Sequence, residues 1–122
     1  MVVCTIKGYS KFGTYEGNAN ANGAFVYTGF KPAWLMVKNI DSANVWQIYD
    51  NKREPNNPNI KRINANVSEA ESTSGSDRLD FLSNGFKMRA TSGNINSAHT
   101  YIYMAFAESP FVSSKGTPTT AR

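Results

Sequence analysis

The chain has few of the residues on which most catalytic and metal sites depend. Its 122 residues include one cysteine, Cys4, and one histidine, His99. A single cysteine forms no internal disulfide, and a zinc site needs three or four histidine, cysteine or carboxylate ligands. We therefore expect no disulfide, no metal site and no other cofactor, and we expect Cys4 to be a small buried hydrophobic residue.

Long hydrophobic runs are absent from the sequence as well. No segment approaches the roughly 18 consecutive apolar residues of a membrane-spanning helix, and the mean hydropathy is negative. Residues 1–7 have no charged leader followed by an apolar stretch, so we expect neither a secretory signal nor membrane insertion. Their alternation predicts a strand at residues 2–7.

Positive charge is in small excess. Thirteen lysine and arginine residues face nine acidic ones, which leaves a net charge of +4. The basic residues are scattered and form no run, so we expect no nucleic-acid binding. A mildly basic surface favours an acidic partner, such as a bacterial surface glycan, and raises the association rate more than the affinity.

What the sequence does have is a series of short apolar blocks, rich in β-branched and aromatic residues and separated by Gly, Asn, Pro or Ser. They cover residues 25–30, 33–49, 80–87 and 101–111. This pattern is typical of strands joined by tight turns. It predicts an all-β domain at residues 1–112, a two-layer antiparallel β-sandwich of jelly-roll or lectin-like type with about eight or nine strands. Residues 113–122 are predicted to be a polar tail.

Two blocks are apolar on both faces, which predicts central strands at residues 33–40 and 101–107. Residues 45–50 should run back along the first of them as a hairpin, after a turn at residues 41–44. A second hairpin is predicted at Asn84-Gly85, because both residue types accept positive φ angles.

The weaker alternations predict shorter strands. We expect them at residues 14–17, 24–28 and 60–67, with a link at residues 8–13. In residues 60–67 the more apolar set should face the core; it consists of Lys61, Ile63, Ala65 and Val67.

Asparagine-rich stretches at residues 18–22 and 56–59 are candidates for surface contacts. Asparagine favours turns because it tolerates left-handed backbone and bonds to its own main chain. Its amide can also bind sugar hydroxyls as donor and acceptor. The most exposed candidates for surface binding are Asn56, Asn57, Asn59 and Tyr15.

Aromatic residues of the first hairpin could serve either of two purposes. Trp34, Trp46 and Tyr49 form a sugar-binding platform if they are exposed on one face, and they belong to the core if they are buried.

Hydrolytic chemistry has only partial support in the sequence. Ser97 lies beside His99, and Asp77 or Asp80 would have to complete a triad, but there is no Gly-x-Ser-x-Gly nucleophile motif. We therefore predict no catalytic residues.

Paired carboxylates offer a second possibility for chemistry. Glu69 and Glu71 could act in glycoside hydrolysis or bind calcium, but they lie in a serine-rich stretch where carboxylates are ordinarily solvated. A spaced Asp-x-Asp-x-Asp-Gly loop is missing too. The sequence thus predicts a protein that is not an enzyme.

Five segments together resemble one family of proteins. They are SKFGTY at residues 10–15, FVYTGFKPAWLMVK at 25–38, YDNKR at 49–53, DFLSNGFK at 80–87 and YIYMAFAE at 101–108. Across roughly residues 9–112 the chain resembles an uncharacterised repeat domain of virion proteins from tailed phages and marine viruses. That domain often occurs as tandem copies in tail-fibre-like structural proteins.

The resemblance implies a virion protein, made in the host cytoplasm and displayed on the particle surface. It implies a tail-fibre or appendage domain that acts in host-surface attachment or fibre assembly. The implied partners are other virion proteins, further copies of the chain in a homotrimer, and a host surface glycan. Two alternatives stay open: a capsid decoration or head-fibre protein that binds the capsid lattice, and a free carbohydrate-binding module.

Overall fold

The structure, a computed structural model, describes residues 6–108. This part of the chain contains eight strands and no helix. The strands are β1 Ser10–Glu16, β2 Phe25–Tyr27, β3 Pro32–Asn39, β4 Gln47–Asp50, β5 Ile63–Asn64, β6 Leu79–Leu82, β7 Gly85–Met88 and β8 Thr100–Ala107. The all-β prediction is confirmed. Cys4, most of the strand predicted at residues 2–7 and the tail predicted at residues 113–122 lie outside the described residues.

The strands form two antiparallel sheets. The larger sheet has five strands in the order β1-β8-β3-β4-β5, and the smaller has three in the order β2-β7-β6. The two segments that are apolar on both faces form central strands, as predicted: β8 lies between β1 and β3, and β3 lies between β8 and β4. The β3–β4 hairpin is confirmed, although the connection covers residues 40–46 and is longer than the predicted turn.

The core lies between the two sheets. Alternate residues of β8 and β3 point inward, and Tyr101, Tyr103 and Leu35 are all buried. From the smaller sheet, Phe86 contacts Tyr103 edge-on with the ring centroids 5.3 Å apart. Each such buried side chain contributes about 1.5–3 kcal/mol through the hydrophobic effect. These contacts across the layers confirm the two-layer sandwich.

β1 begins earlier than predicted. It pairs with β8 from Ser10 opposite Phe106 to Glu16 opposite Thr100, so part of the segment predicted as a link is strand. Gly13 suggested a break, but it lies inside the strand, where its small size leaves room for the tyrosine on the neighbouring strand. A Cβ at Gly13 would lie 3.1 Å from the hydroxyl of Tyr103. The glycine is a packing residue inside a strand.

The predicted strand at residues 60–67 is mostly wrong. Only Ile63–Asn64 is strand, and its faces are inverted relative to the prediction. Ile63 and Val67 are each 39% exposed, whereas the side chain of Arg62 points inward. The inversion has a physical reason: Arg62 pairs with buried Asp77, at 3.1 Å, and this ion pair sets the register.

The β6–β7 hairpin is confirmed, but the predicted reason for its glycine is wrong. Gly85 pairs with Leu82, so the turn residues are Ser83 and Asn84, and Gly85 is not among the residues with a positive φ angle. Its role is to allow close approach of β2. A Cβ at Gly85 would lie 2.0 Å from the carbonyl oxygen of Val26.

Candidate functional site

Two of the four predicted surface residues are buried. Asn59 is fully buried, and its amide nitrogen donates to the carbonyl oxygens of Asp50, at 2.7 Å, and Glu54, at 3.2 Å. Tyr15 lies on the inward face of β1, and its hydroxyl donates to the carbonyl of Ile95 at 2.7 Å. The prediction that Asn59 and Tyr15 are exposed is therefore wrong, because both side chains point inward and bond to backbone carbonyls.

The other two candidates, Asn56 and Asn57, are exposed. The amide of Asn57 nevertheless bonds to the backbone of Phe81 on both sides: its nitrogen donates to the Phe81 carbonyl at 2.8 Å, and its oxygen accepts from the Phe81 amide at 3.0 Å. This pair of bonds covers part of the exposed edge of β6, as a neighbouring strand would. Asn57 therefore has a structural role, whereas Asn56 is an exposed loop residue.

The asparagine stretch at residues 18–22 serves loop structure. The amide nitrogen of fully buried Asn96 donates to the carbonyls of Ala90, at 2.9 Å, and Asn20, at 2.8 Å. The oxygen of the same amide accepts from the Asn18 backbone at 3.1 Å. The turn interpretation of this stretch is thus supported by the hydrogen bonds that these residues make.

The predicted aromatic platform does not form as one surface. Tyr49 is fully buried between the sheets, and its hydroxyl donates to the side-chain oxygen of Gln47 at 2.8 Å. Trp34 is half-buried and points away from the core. Its register partner on β4 is Asp50, whereas Tyr49 pairs with Leu35, so Trp34 and Tyr49 lie on opposite faces of the sheet. Trp46, just before β4, is also half-buried.

The side of the larger sheet that faces away from the core is largely apolar. We call this surface the outer apolar face; its members are Phe12, Trp34, Met36, Trp46, Ile48, Ile102, Met104 and Phe106. Phe106 lies at one end of the face, with its ring 5.5 Å from Trp34 and 5.9 Å from Phe12. A groove of about 480 Å³ runs between Trp46, Phe12 and Met104. All these residues are half-buried.

Ser97 and His99 do come together, but in a structural arrangement. The Ser97 hydroxyl lies 2.9 Å from His99 Nδ1, and the amide nitrogen of Asn39 lies 3.0 Å from the same atom. An amide nitrogen only donates, so His99 Nδ1 accepts a hydrogen bond from Asn39. Asn39 also donates to the carbonyl of Gly93 at 2.8 Å, which ties β3 to the loop before β8.

The candidate carboxylates each have a separate partner. Glu71 pairs with Arg53 at 3.1 Å, Asp77 with Arg62 at 3.1 Å, and Asp80 with Arg89 at 3.5 Å, while Glu69 accepts from Asn64 at 2.8 Å. Within residues 6–108 no group of three His, Cys, Asp or Glu side chains is placed to hold a metal ion. The same residues include no helix long and apolar enough to cross a membrane.

A buried polar cluster lies at one end of the core. Asp77 accepts hydrogen bonds from Gln47, at 2.9 Å, and Asn94, at 3.1 Å, in addition to its ion pair with Arg62. Burial, and then the negative charge of Asp77, raise the pKa of Tyr49 well above its usual value, against a smaller opposing effect of Arg62. This cluster holds β4 against the loops that precede β6 and β8.

The outward side of the smaller sheet combines basic and aromatic side chains, and the sequence analysis missed it. Phe25 pairs with Lys87, which pairs with Asp80, so the three form one row across the sheet. The backbone amide of Arg89 bonds to the carbonyl of Arg78 and begins the next row. Tyr27, two residues after Phe25, belongs to the third row.

We call this surface the basic–aromatic strip; its members are Phe25, Tyr27, Arg78, Asp80, Lys87 and Arg89. Phe25 is 47% exposed and Tyr27 is 60% exposed, which places both rings outside the core. A cleft of about 370 Å³ lies at one end, lined by the Arg78, Asp80 and Arg89 side chains and by Asn57 and Pro58. The alternation of β6 and β7 was the signal that could have revealed this surface, since their buried positions leave the charged residues facing outward.

Comparison with known proteins identifies the family of the chain. No curated protein and no solved structure matches it. One protein family does match, over residues 2–110, which is most of the chain and includes every strand described above. The chain therefore belongs to the family described as Domain of unknown function (DUF7483).

Proposed function

We propose that this protein is a non-enzymatic structural module of a phage virion, a tail-fibre or appendage domain that assembles with further copies of itself and presents loops to a host surface. The observation that carries the proposal is the outer apolar face of the larger sheet. The virion location rests on the sequence resemblance of residues 9–112. Assembly rests on the physical argument that follows.

The outer apolar face has the composition of a protein interface. Its centre consists of methionine, isoleucine, phenylalanine and tryptophan side chains. Interface centres are enriched in aromatic residues and methionine and depleted of charged residues. A contiguous apolar patch of a few hundred Å² is often functional, and association with another protein is one such function.

The size of the face supports a second copy as its occupant. Its members span four strands spaced at about 4.8 Å and about five residues that rise about 3.3 Å each, which gives the face an area of roughly 300 Å². A standard interface buries about 800 Å² on each partner, so the face has the size of the apolar centre of one side, with the surrounding polar residues as its rim. A saccharide is a poorer match for the centre of the face, because Met36, Met104 and Ile102 offer its hydroxyls neither donors nor acceptors.

The charged residues at the margins of the face already have hydrogen-bond partners within the chain. Lys38 donates to the carbonyl of Ser42 at 3.2 Å, and Asp50 accepts from the backbone of Arg53 at 2.8 Å. Burial opposes ionisation of Asp50, but the Arg53 backbone and side-chain hydrogen bonds outweigh it and lower the pKa of Asp50. A copy docking on the centre of the face would therefore bury few charged groups that lack a hydrogen-bond partner.

The experiment is to measure the oligomeric state. The wild-type protein should sediment as a homo-oligomer in analytical ultracentrifugation, a homotrimer being the state that the resemblance to fibre domains implies, and Met104→Lys or Trp46→Ser should shift it to a monomer. Tyr27→Ser is the matched control, because Tyr27 is 60% exposed and lies on the outward side of the smaller sheet, away from this face. Circular dichroism and melting temperature check that each variant folds.

A wild-type monomer at the highest attainable concentration would contradict assembly through this face. The virion location has a separate test, which is mass spectrometry of purified particles of the virus that encodes this chain. Absence of the protein from those particles would contradict the virion role. Co-purification with capsid shells stripped of tails would favour the decoration role instead.

A further inference from the structure

We propose that the basic–aromatic strip of the smaller sheet is a binding site for carboxylated saccharide chains, such as polyuronates of a host surface. The inference deepens the proposed attachment role and rests on it. It names the site and the chemical class of the ligand, and it concerns the opposite side of the sandwich from the outer apolar face.

The antiparallel pairing places the functional groups in adjacent rows. Lys87 lies between Phe25 and Asp80 in one row, and Arg89 lies beside Arg78 in the next. Rows of outward residues along a strand are about 6.6 Å apart, since each residue rises about 3.3 Å. This spacing brings the aromatic rings, the cations and the carboxylate within the span of a short oligosaccharide.

The two arginines provide the carboxylate-binding chemistry. The Nε atom of Arg78 donates to the carbonyl of Arg89 at 3.0 Å, which holds its guanidinium over the cleft. Arg89 keeps 43% of its side chain exposed while its Nε lies 3.5 Å from Asp80. A guanidinium presents a rigid planar fork that matches a carboxylate in two parallel hydrogen bonds.

The aromatic residues provide flat apolar surface beside these charges. Phe25 and Tyr27 lie on the edge strand β2 and are exposed to 47% and 60%. An aromatic ring packs favourably on the apolar C–H face of a sugar ring, and the tyrosine hydroxyl adds a polar contact. The Nζ atom of Lys11 lies 5.7 Å from the centre of the Tyr27 ring and adds a cation at this end.

The charge pattern favours an acidic saccharide over a nucleic acid. Asp80 lies on the edge strand β6, paired across the strands with Lys87 and 3.5 Å from Arg89. A carboxylate there repels either polyanion, but a deoxyribose–phosphate chain offers it no free ring hydroxyls in compensation. The same carboxylate accepts hydrogen bonds from sugar hydroxyls, which alternate with the acidic groups along a polyuronate.

The test is binding of oligogalacturonate to the purified full chain, with dextran of similar length as the neutral probe and oligothymidylate as the nucleic-acid probe. The wild-type protein should bind oligogalacturonate and leave dextran unbound. The double variant Arg78→Gln/Lys87→Gln should lower the affinity at least about tenfold, because it removes two of the charges that attract the ligand. Tyr27→Ala should weaken binding through the lost ring contact.

The matched control is Lys52→Gln/Lys61→Gln, which removes the same charge from positions outside the strip and should change the affinity less than about twofold. Equal loss in both double variants would overturn the site, as would undetectable binding of oligogalacturonate by the wild type or tighter binding of oligothymidylate. Sedimentation of the same samples separates the two proposals. A trimer that does not bind the acidic chain overturns this inference and leaves the assembly role intact.

Discussion

Tyr15 of β1 stacks on Tyr101 of β8, with the ring centroids 5.0 Å apart and the planes 9° from parallel. The two residues are register partners on the inward face of the larger sheet. Their hydroxyls reach into the loop between β7 and β8, where Tyr15 donates to Ile95 and Tyr101 donates to Gly93 at 2.9 Å. The stacked pair thus joins two strands and anchors the loop that crosses the end of the sandwich.

Truncating Tyr15 should separate its two contributions. Tyr15→Phe leaves the ring in place but removes the donor to the buried Ile95 carbonyl, and we expect a loss of about 1–2 kcal/mol in unfolding free energy. Tyr15→Ala also removes the stacked ring and should cost about 3–5 kcal/mol. Urea titration measures both values. Equal losses in the two variants would mean that the ring packing contributes nothing.

Gly85 should tolerate no side chain. Gly85→Ala places a Cβ 2.0 Å from the Val26 carbonyl oxygen, so β2 and β7 must separate or shift. Overpacking of this kind costs about 1–3 kcal/mol. The matched control is Gly75→Ala, where an added Cβ would lie 3.8 Å from a nitrogen of the flexible Arg78 side chain. Thermal melting should show a lower midpoint for Gly85→Ala alone.

Alkaline pH should destabilise the fold through its buried tyrosines. Burial raises the pKa of Tyr15 and of Tyr49 well above the usual 10.0, so both stay neutral in the folded state while the unfolded chain ionises. Their contribution to stability is fully present below about pH 10 and is lost as the pH rises toward the raised folded values. Unfolding free energy measured from pH 8 to 11 should fall most steeply above pH 10.

Replacing one of these tyrosines should flatten that fall. Tyr49→Phe lowers the stability at neutral pH, because the Gln47 side-chain oxygen loses its donor. It also removes one of the buried groups whose ionisation makes the unfolding free energy depend on pH. Ile95→Val serves as a control with a similar loss of stability and no change in tyrosine. If Tyr49→Phe kept the wild-type slope above pH 10, another group would be responsible for the alkaline sensitivity.

Asn57 and Asn56 should behave differently although they are neighbours and both exposed. Asn57→Ala leaves the backbone amide and carbonyl of Phe81 without their side-chain partners and should cost about 1–2 kcal/mol. Asn56→Ala should stay within about 0.5 kcal/mol of wild type, as exposed loop substitutions usually do. Chemical denaturation of both variants provides the comparison, and a stable Asn57→Ala would contradict the edge-covering role of that side chain.

The sequence carried enough information for the central strands and the hairpins. β3 and β8 are apolar on both faces, and this pattern predicts a central strand whichever strands lie beside it, because a central strand is covered on both faces. The β6–β7 hairpin was predictable because its turn is local in sequence. The outcome at Gly85 shows the limit of such local arguments, since the constraint on that residue comes from β2.

The candidate site was less predictable than the fold. Asn59 and Tyr15 resembled exposed binding residues, but each bonds to a backbone carbonyl that only the folded chain brings near. The basic–aromatic strip was missed for a related reason. Phe25 and Arg89 are 64 positions apart in sequence numbering, and they share a surface only because β2 pairs with β7.

The sequence by itself determined the fold class, the central strands and the hairpins, because alternation and turn chemistry act within a few neighbouring residues. Only the tertiary structure decided which face each short strand turns inward. For residues 60–67 the ion pair of Arg62 with Asp77 reversed the face that hydrophobicity favoured. The tertiary structure also decided which polar side chains are available to a partner, because buried backbone groups far away in sequence engage asparagines and tyrosines that the sequence alone leaves unassigned.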